Sequence, residues 1–82
     1  TSEHIKISPN PIKSTLKIEV NKRVKKPFSL KIINDTGKQV AFIKDINDNT
    51  VSIHNSFNSG IYFILIEDNK RKTYTSKFIS TK

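Results

Sequence analysis

The chain has no cysteine, no methionine and no tryptophan, and only two glycines and three prolines among its 82 residues. Without sulfur it can be neither a disulfide scaffold nor a Cys-ligated zinc module. Acidic residues are scarce: seven Asp and Glu stand against 15 Lys and Arg, for a formal net charge of +8. No apolar run approaches the roughly 20 residues a membrane-spanning helix needs, so no transmembrane segment is expected. The first residue is Thr1 and no apolar signal segment follows, which reads as a piece of a longer product or a mature form. The length fits one domain, residues 1–82, with a small core. Helix-building residues are thin too, with one Ala and three Leu.

What is present is β-branched and aromatic: 13 Ile, 4 Val, 7 Thr and 5 Phe. Such side chains suit a half-buried pleated surface and lose rotamer freedom in helices. The periodicity agrees. From Ser14 to Val20, Leu16, Ile18 and Val20 alternate with polar residues, the period of two that marks a strand with one wet face. His4 to Ser8 and Phe28 to Ile32 repeat the pattern. Lys38 to Ile46 reads as a strand whose inward face the alternation does not settle. Val51 to Ile53 is short. Ile61 to Ile66 is six apolar residues in a row, a central strand with both faces covered, or with one covered and one patched. A last strand runs from about Lys72 to Ser80.

Turn residues separate these runs. Pro9-Asn10-Pro11 interrupts any ladder, because proline has no N–H and a fixed φ. Asn34-Asp35-Thr36-Gly37 is a hairpin signal; its N-glycosylation pattern is better explained as that turn. Asn47 to Asn49 and Glu67 to Lys70 mark two more turns. Phe57, alone amid Asn and Ser, is expected to anchor a loop running from Asn55 to Gly60. Asn21 to Lys26 reads as a weakly ordered basic stretch. Seven short strands at roughly ten-residue spacing indicate an all-β sandwich or small barrel.

Catalytic signatures are missing. His4 and His54 fall on different strands without metal-ligand spacing and are expected to face solvent. No nucleophile elbow accompanies the serines, and Gly37 and Gly60 stand apart, so no phosphate-cradling loop forms. Four of the seven carboxylates lie in or beside turns, where Asp is a turn residue. No enzyme activity, cofactor or metal is expected.

Charge is the feature that stands out. Lys22, Arg23, Lys25 and Lys26 put four cations in five residues, and Lys70-Arg71-Lys72 adds three. A polyanion surface is one reading; loop solubility and protection of strand edges by lysine is the plainer one. Nucleic acid is not expected, since the core claims the aromatics that base stacking would need. Lipopolysaccharide contact stays open.

The ordered set Ile7-Ser8-Pro9-Asn10-Pro11, Leu16-Lys17-Ile18, Ile32 to Val40, Phe57 to Ile66 and Lys77-Phe78-Ile79 resembles the type A C-terminal sorting domain of the type IX secretion system of Bacteroidetes. The resemblance covers nearly the whole chain. It implies a seven-stranded antiparallel Ig-like β-sandwich that is no enzyme itself. The domain would ride at the C-terminus of a cargo already in the periplasm and send it through an outer-membrane translocon to the cell surface or beyond. A surface sortase would then remove it and can join the cargo to anionic lipopolysaccharide. Under the resemblance, Pro9, Asn10, Pro11, Gly37, Gly60 and Tyr62 form the structural motif. Lys77, Phe78, Ile79 and Lys82 are the candidates for translocon recognition, although Ser80 and Thr81 replace the more usual apolar or basic residues. A last strand at a sheet edge could bind by strand addition. The alternative is a small Ig-like surface module for a polyanion or glycan, carried by Lys22, Arg23, Lys25 and Lys26.

Overall fold

Alternation decides which side of each strand is buried. The computed structural model describes residues 4–8 and 14–81. Its strands are β1 (Ile5–Ser8), β2 (Thr15–Val20), β3 (Phe28–Asn34), β4 (Gln39–Ile46), β5 (Thr50–His54), β6 (Gly60–Glu67) and β7 (Thr73–Ser80). In β2, Leu16, Ile18 and Val20 are buried while Thr15 and Lys17 are exposed. In β7, Tyr74, Ser76, Phe78 and Ser80 turn inward and Thr73, Thr75, Lys77 and Ile79 outward.

Every pairing is antiparallel. One sheet has the order β1-β2-β5 and the other β4-β3-β6-β7. Placing β4 beside β3 distinguishes this Ig-like sandwich from the constant-type arrangement, in which the fourth strand joins the first sheet. Leu16 and Ile18 of the smaller sheet meet Phe28, Leu30, Ile32, Ile64, Ile66 and Phe78 of the larger one, all essentially closed to solvent. Each contributes about 1.5–3 kcal/mol on burial, so the small core is dense in Ile and Phe.

The unsettled face of β4 has a physical cause. Phe28 pairs with Ile46 but Leu30 pairs with Ile43, so Lys44 and Asp45 oppose Ser29 alone. This bulge shifts the alternation by one residue, and Asp45 takes up the twist at φ 58°. Ala41, Ile43 and Ile46 therefore pack inward although they share no single parity.

The loop from Asn55 to Gly60 is pinned as expected. Phe57 is buried and its ring lies 5.3 Å from Tyr62 and 6.2 Å from Phe78. Tyr62 stacks on Phe78 and its hydroxyl donates to the Asn58 carbonyl at 2.7 Å. A tyrosine near the start of this strand, bonding back a few residues upstream, is the tyrosine corner of Ig-like sandwiches. Asn55, fully buried, donates through Nδ2 to Ser80 Oγ and accepts from the Phe57 amide, tying the loop to the end of β7. Gly60 enters β6 at φ 148°, a conformation side chains rarely adopt.

Two hairpins repeat one geometry. Asn34 Oδ1 accepts from the amides of Thr36 and Lys38, and Asp68 Oδ1 accepts from those of Lys70 and Lys72. In both, the fourth residue donates its amide to the first residue's carbonyl and sits at positive φ, Gly37 at 86° and Arg71 at 63°. Glycine adopts this region freely; an arginine there is strained by roughly 1–2 kcal/mol. Arg71→Gly is therefore expected to raise stability by about 0.5–1 kcal/mol, and Gly37→Ala to lower it by about 1 kcal/mol. Urea midpoints of the two variants check this; a lower midpoint for Arg71→Gly contradicts it.

Asn21 to Lys26 is not the loosely held stretch its composition suggests. Val24 is buried to 1% exposure, its amide donates to the Asn21 carbonyl, and the Asn69 amide donates to the Lys25 carbonyl. One apolar residue among four cations anchors the loop.

Candidate functional site

Outward-facing residues differ sharply between the two sheets. On the smaller sheet they are polar: Thr15 pairs with His54, Lys17 with Ser52 and Glu19 with Thr50, and Lys17 Nζ lies 3.5 Å from Glu19 Oε1. On the larger sheet apolar residues take about half of the outward positions. Phe42 is 51% exposed, Ile79 46%, Ile61 45%, Phe63 38% and Val40 37%. Register makes these neighbours: Ile61 lies opposite Ile79, and Phe63 lies between Ile33 and Lys77. Lys31 lies between Phe42 and Leu65. Single exposed apolar residues are ordinary, but a contiguous set marks an interaction surface. The six-residue run of β6 is thus covered on one face and patched on the other. Lys31 and Lys77 stand inside this surface, and Glu67 lies at its end, opposite Ser29 and Thr73.

This arrangement sorts the expected recognition residues. Lys77 and Ile79 point outward on β7, an edge strand of its sheet. Phe78 does not belong with them: it is fully buried against Phe57 and Tyr62. Strand parity turns it inward, so in the folded domain it offers no surface to a partner. Lys82, and the motif residues Pro9, Asn10 and Pro11, lie outside the described residues.

The basic patch is rebuilt by the fold. The β2–β3 loop, with Arg23 and Lys25, meets the β6–β7 loop, with Lys70 and Lys72, around Asp68 and Tyr74. Asp68 is nearly buried and accepts from the amides of Lys70 and Lys72 at 2.9 Å, and from the Lys25 amide and the Tyr74 hydroxyl at 3.3 Å. Burial pushes its carboxyl up, but these donors favour the charged form and hold it below the usual 3.8. Burial, and then the Asp68 charge, push the Tyr74 hydroxyl up, so it stays protonated as a donor. Lys22 and Lys26 lie in the same loop but do not line the cleft.

One of the two histidines departs from expectation. His54 is exposed, but His4 is partly covered, edge-on to Tyr74 at 5.4 Å with Nδ1 accepting from Asn21 Nδ2. Among the described residues no group of three or more His, Asp or Glu is placed to hold a metal ion, and no helix is long and apolar enough to cross a membrane.

Comparison with known proteins agrees with the motif order and the fold. Among curated proteins, none matches the chain. Residues 6–81 match the family described as Secretion system C-terminal sorting domain, which spans every strand from β2 to β7 and most of β1. With six strands and most of the seventh, the tyrosine corner and the Gly37 hairpin inside the matched span, the chain belongs to the secretion system C-terminal sorting domain family and carries a C-terminal sorting signal for type IX secretion.

Proposed function

We propose that the domain sends a cargo protein across the outer membrane by presenting the outer face of its four-stranded sheet, folded, to a component of the type IX translocon. The observation that carries this is the contrast between the two outer faces: one polar, the other exposing Phe42, Ile61, Phe63 and Ile79, with Ile61 opposite Ile79 and Phe63 opposite Ile33. The fitting partner has apolar side chains with carboxylates placed to meet Lys31 and Lys77. A second copy of the chain fits poorly, because this face has two cations at its centre, its carboxylates lie only at one end, and each copy carries +8. In this reading the domain is no enzyme. It travels through the periplasm at the C-terminus of its cargo, and a surface sortase removes it at the cell surface.

The test is to fuse residues 1–82 behind a fluorescent passenger that a cleavable leader delivers to the periplasm of a type IX-competent host. Passenger should reach the surface or medium in that host and stay periplasmic in a translocon-deficient one. Retention in both hosts, with the domain folded, contradicts the proposal. The alternative, a surface module for a polyanion or glycan, predicts instead that the domain binds heparin, DNA or lipopolysaccharide at low salt with an affinity that collapses as salt rises.

A further inference from the structure

The cationic end of the sandwich is more organised than loop solubility requires. Two segments 43 residues apart are joined there by the bond from the Lys25 amide to Asp68 Oδ2. Asp68 holds the backbones of Lys25, Lys70 and Lys72 through their amides. The single Tyr74 hydroxyl proton is shared between Asp68 Oδ2 at 3.3 Å and the Arg23 carbonyl at 3.2 Å. All four cationic residues lining the cleft are thus fixed at the backbone by one buried pair, while their side chains remain exposed.

Their charges are not matched. Among the described residues none of Arg23, Lys25, Lys70 and Lys72 forms an ion pair; the ion pair found there is between Lys17 and Glu19. The one carboxylate in the cleft, Asp68, already takes four donors of its own. The Asp68 charge offsets one of the four cations; the excess charges repel one another, and a multivalent anion relieves that repulsion. The cleft is open to solvent and offers about 340 Å³, the scale of a small-ligand site. Lys72 Nζ lies 5.7 Å from the centre of the Tyr74 ring, which helps to place it over the cleft floor.

We infer that this cleft is a binding site for a diphosphate or for closely spaced phosphomonoesters, with Arg23, Lys25, Lys70 and Lys72 as its charge donors. Arg23 supplies a planar fork suited to two phosphate oxygens, and the lysines supply mobile point charges. The site lies at the loop end of the sandwich and shares no residue with the apolar outer face, so it stands whether or not that face meets the translocon.

The experiment is an amide chemical-shift titration of the folded domain with sodium pyrophosphate, at ionic strength held constant with sodium chloride. A second arm uses phosphatidylcholine vesicles doped with phosphatidic acid, to separate a free phosphate from a lipid headgroup. Arg23→Gln with Lys70→Gln removes two cleft cations and leaves every backbone bond to Asp68 and Tyr74. Lys22→Gln with Lys26→Gln removes the same charge from beside the cleft. Saturable shifts at residues 23–25 and 68–74 are expected, with affinity about tenfold weaker in the cleft variant and little changed in the control. Vesicle binding without pyrophosphate binding, if lost in the cleft variant, assigns the site to a headgroup. Equal loss in both variants, or binding of neither probe, overturns the site and leaves only diffuse charge. Passenger export is measured on the same variants and is expected to be unchanged.

Discussion

A cargo fusion carrying Phe42→Thr and Phe63→Thr is expected to stay in the periplasm, with export reduced about tenfold or more. Both rings stand on the outer face of the four-stranded sheet, with Phe42 51% and Phe63 38% exposed. Threonine keeps the β-branched preference of a strand position, so the sandwich itself should persist. Anchors of this kind are worth roughly 2 kcal/mol or more each when they fill a partner's pocket, enough for a tenfold change in affinity. A matched pair of substitutions on the polar face, Lys17→Ser with Ser52→Thr, is expected to leave export intact. Charge reversal at Lys31 and Lys77 should weaken export in a salt-dependent way, because those lysines are placed to meet carboxylates. Normal export by the Phe42→Thr, Phe63→Thr fusion, with the domain shown to be folded, removes the outer face from the account.

Asp68→Ala is expected to cost about 3 kcal/mol of stability, a large share of the roughly 4–12 kcal/mol a chain of this size commands. The substitution leaves the Tyr74 hydroxyl and the amides of Lys25, Lys70 and Lys72 without their common acceptor. Asp68→Asn keeps one carbonyl oxygen for the Lys70 and Lys72 amides and should lose about half as much. The pH dependence follows from the lowered carboxyl pKa. A group that ionises more readily folded than unfolded adds stability that is present above the unfolded pKa. That stability is lost as pH falls through the folded pKa. The wild-type urea midpoint should therefore fall, as pH drops toward and below the ordinary carboxylate value of 3.8, more steeply than that of Asp68→Asn. Equal slopes, or a loss in Asp68→Ala below about 1 kcal/mol, remove Asp68 from its role as clamp.

The strands were legible because burial in a two-sheet sandwich enforces a period of two, and Leu16-Ile18-Val20 and Phe28-Leu30-Ile32 obey it. The face of β4 was not, because two residues, Lys44 and Asp45, oppose one on β3 and break the parity that alternation relies on. Phe78 was misjudged for a related reason. It sits in an adjacent apolar pair with Ile79, and only the parity set by Tyr74 turns one inward and the other outward. The outer face was half legible: six apolar residues in β6 announced a patch, but its partners on β3, β4 and β7 follow from register between distant segments. The cationic cleft was legible only as two separate charge runs. What joins them is a buried carboxylate that local sequence marks as an ordinary turn residue, and Val24, a single apolar side chain within the run. Asn55 likewise reads as loop polarity until Ser80 closes on it.

The central claim is that the translocon reads a folded domain through one face, and photocrosslinking during export tests it most directly. A photoreactive amino acid at Phe63, on the apolar outer face, should join the domain to an outer-membrane translocon component. The same probe at Lys17, on the opposite sheet, should not. Crosslinks of equal yield from both positions, or from Lys17 alone, contradict the account.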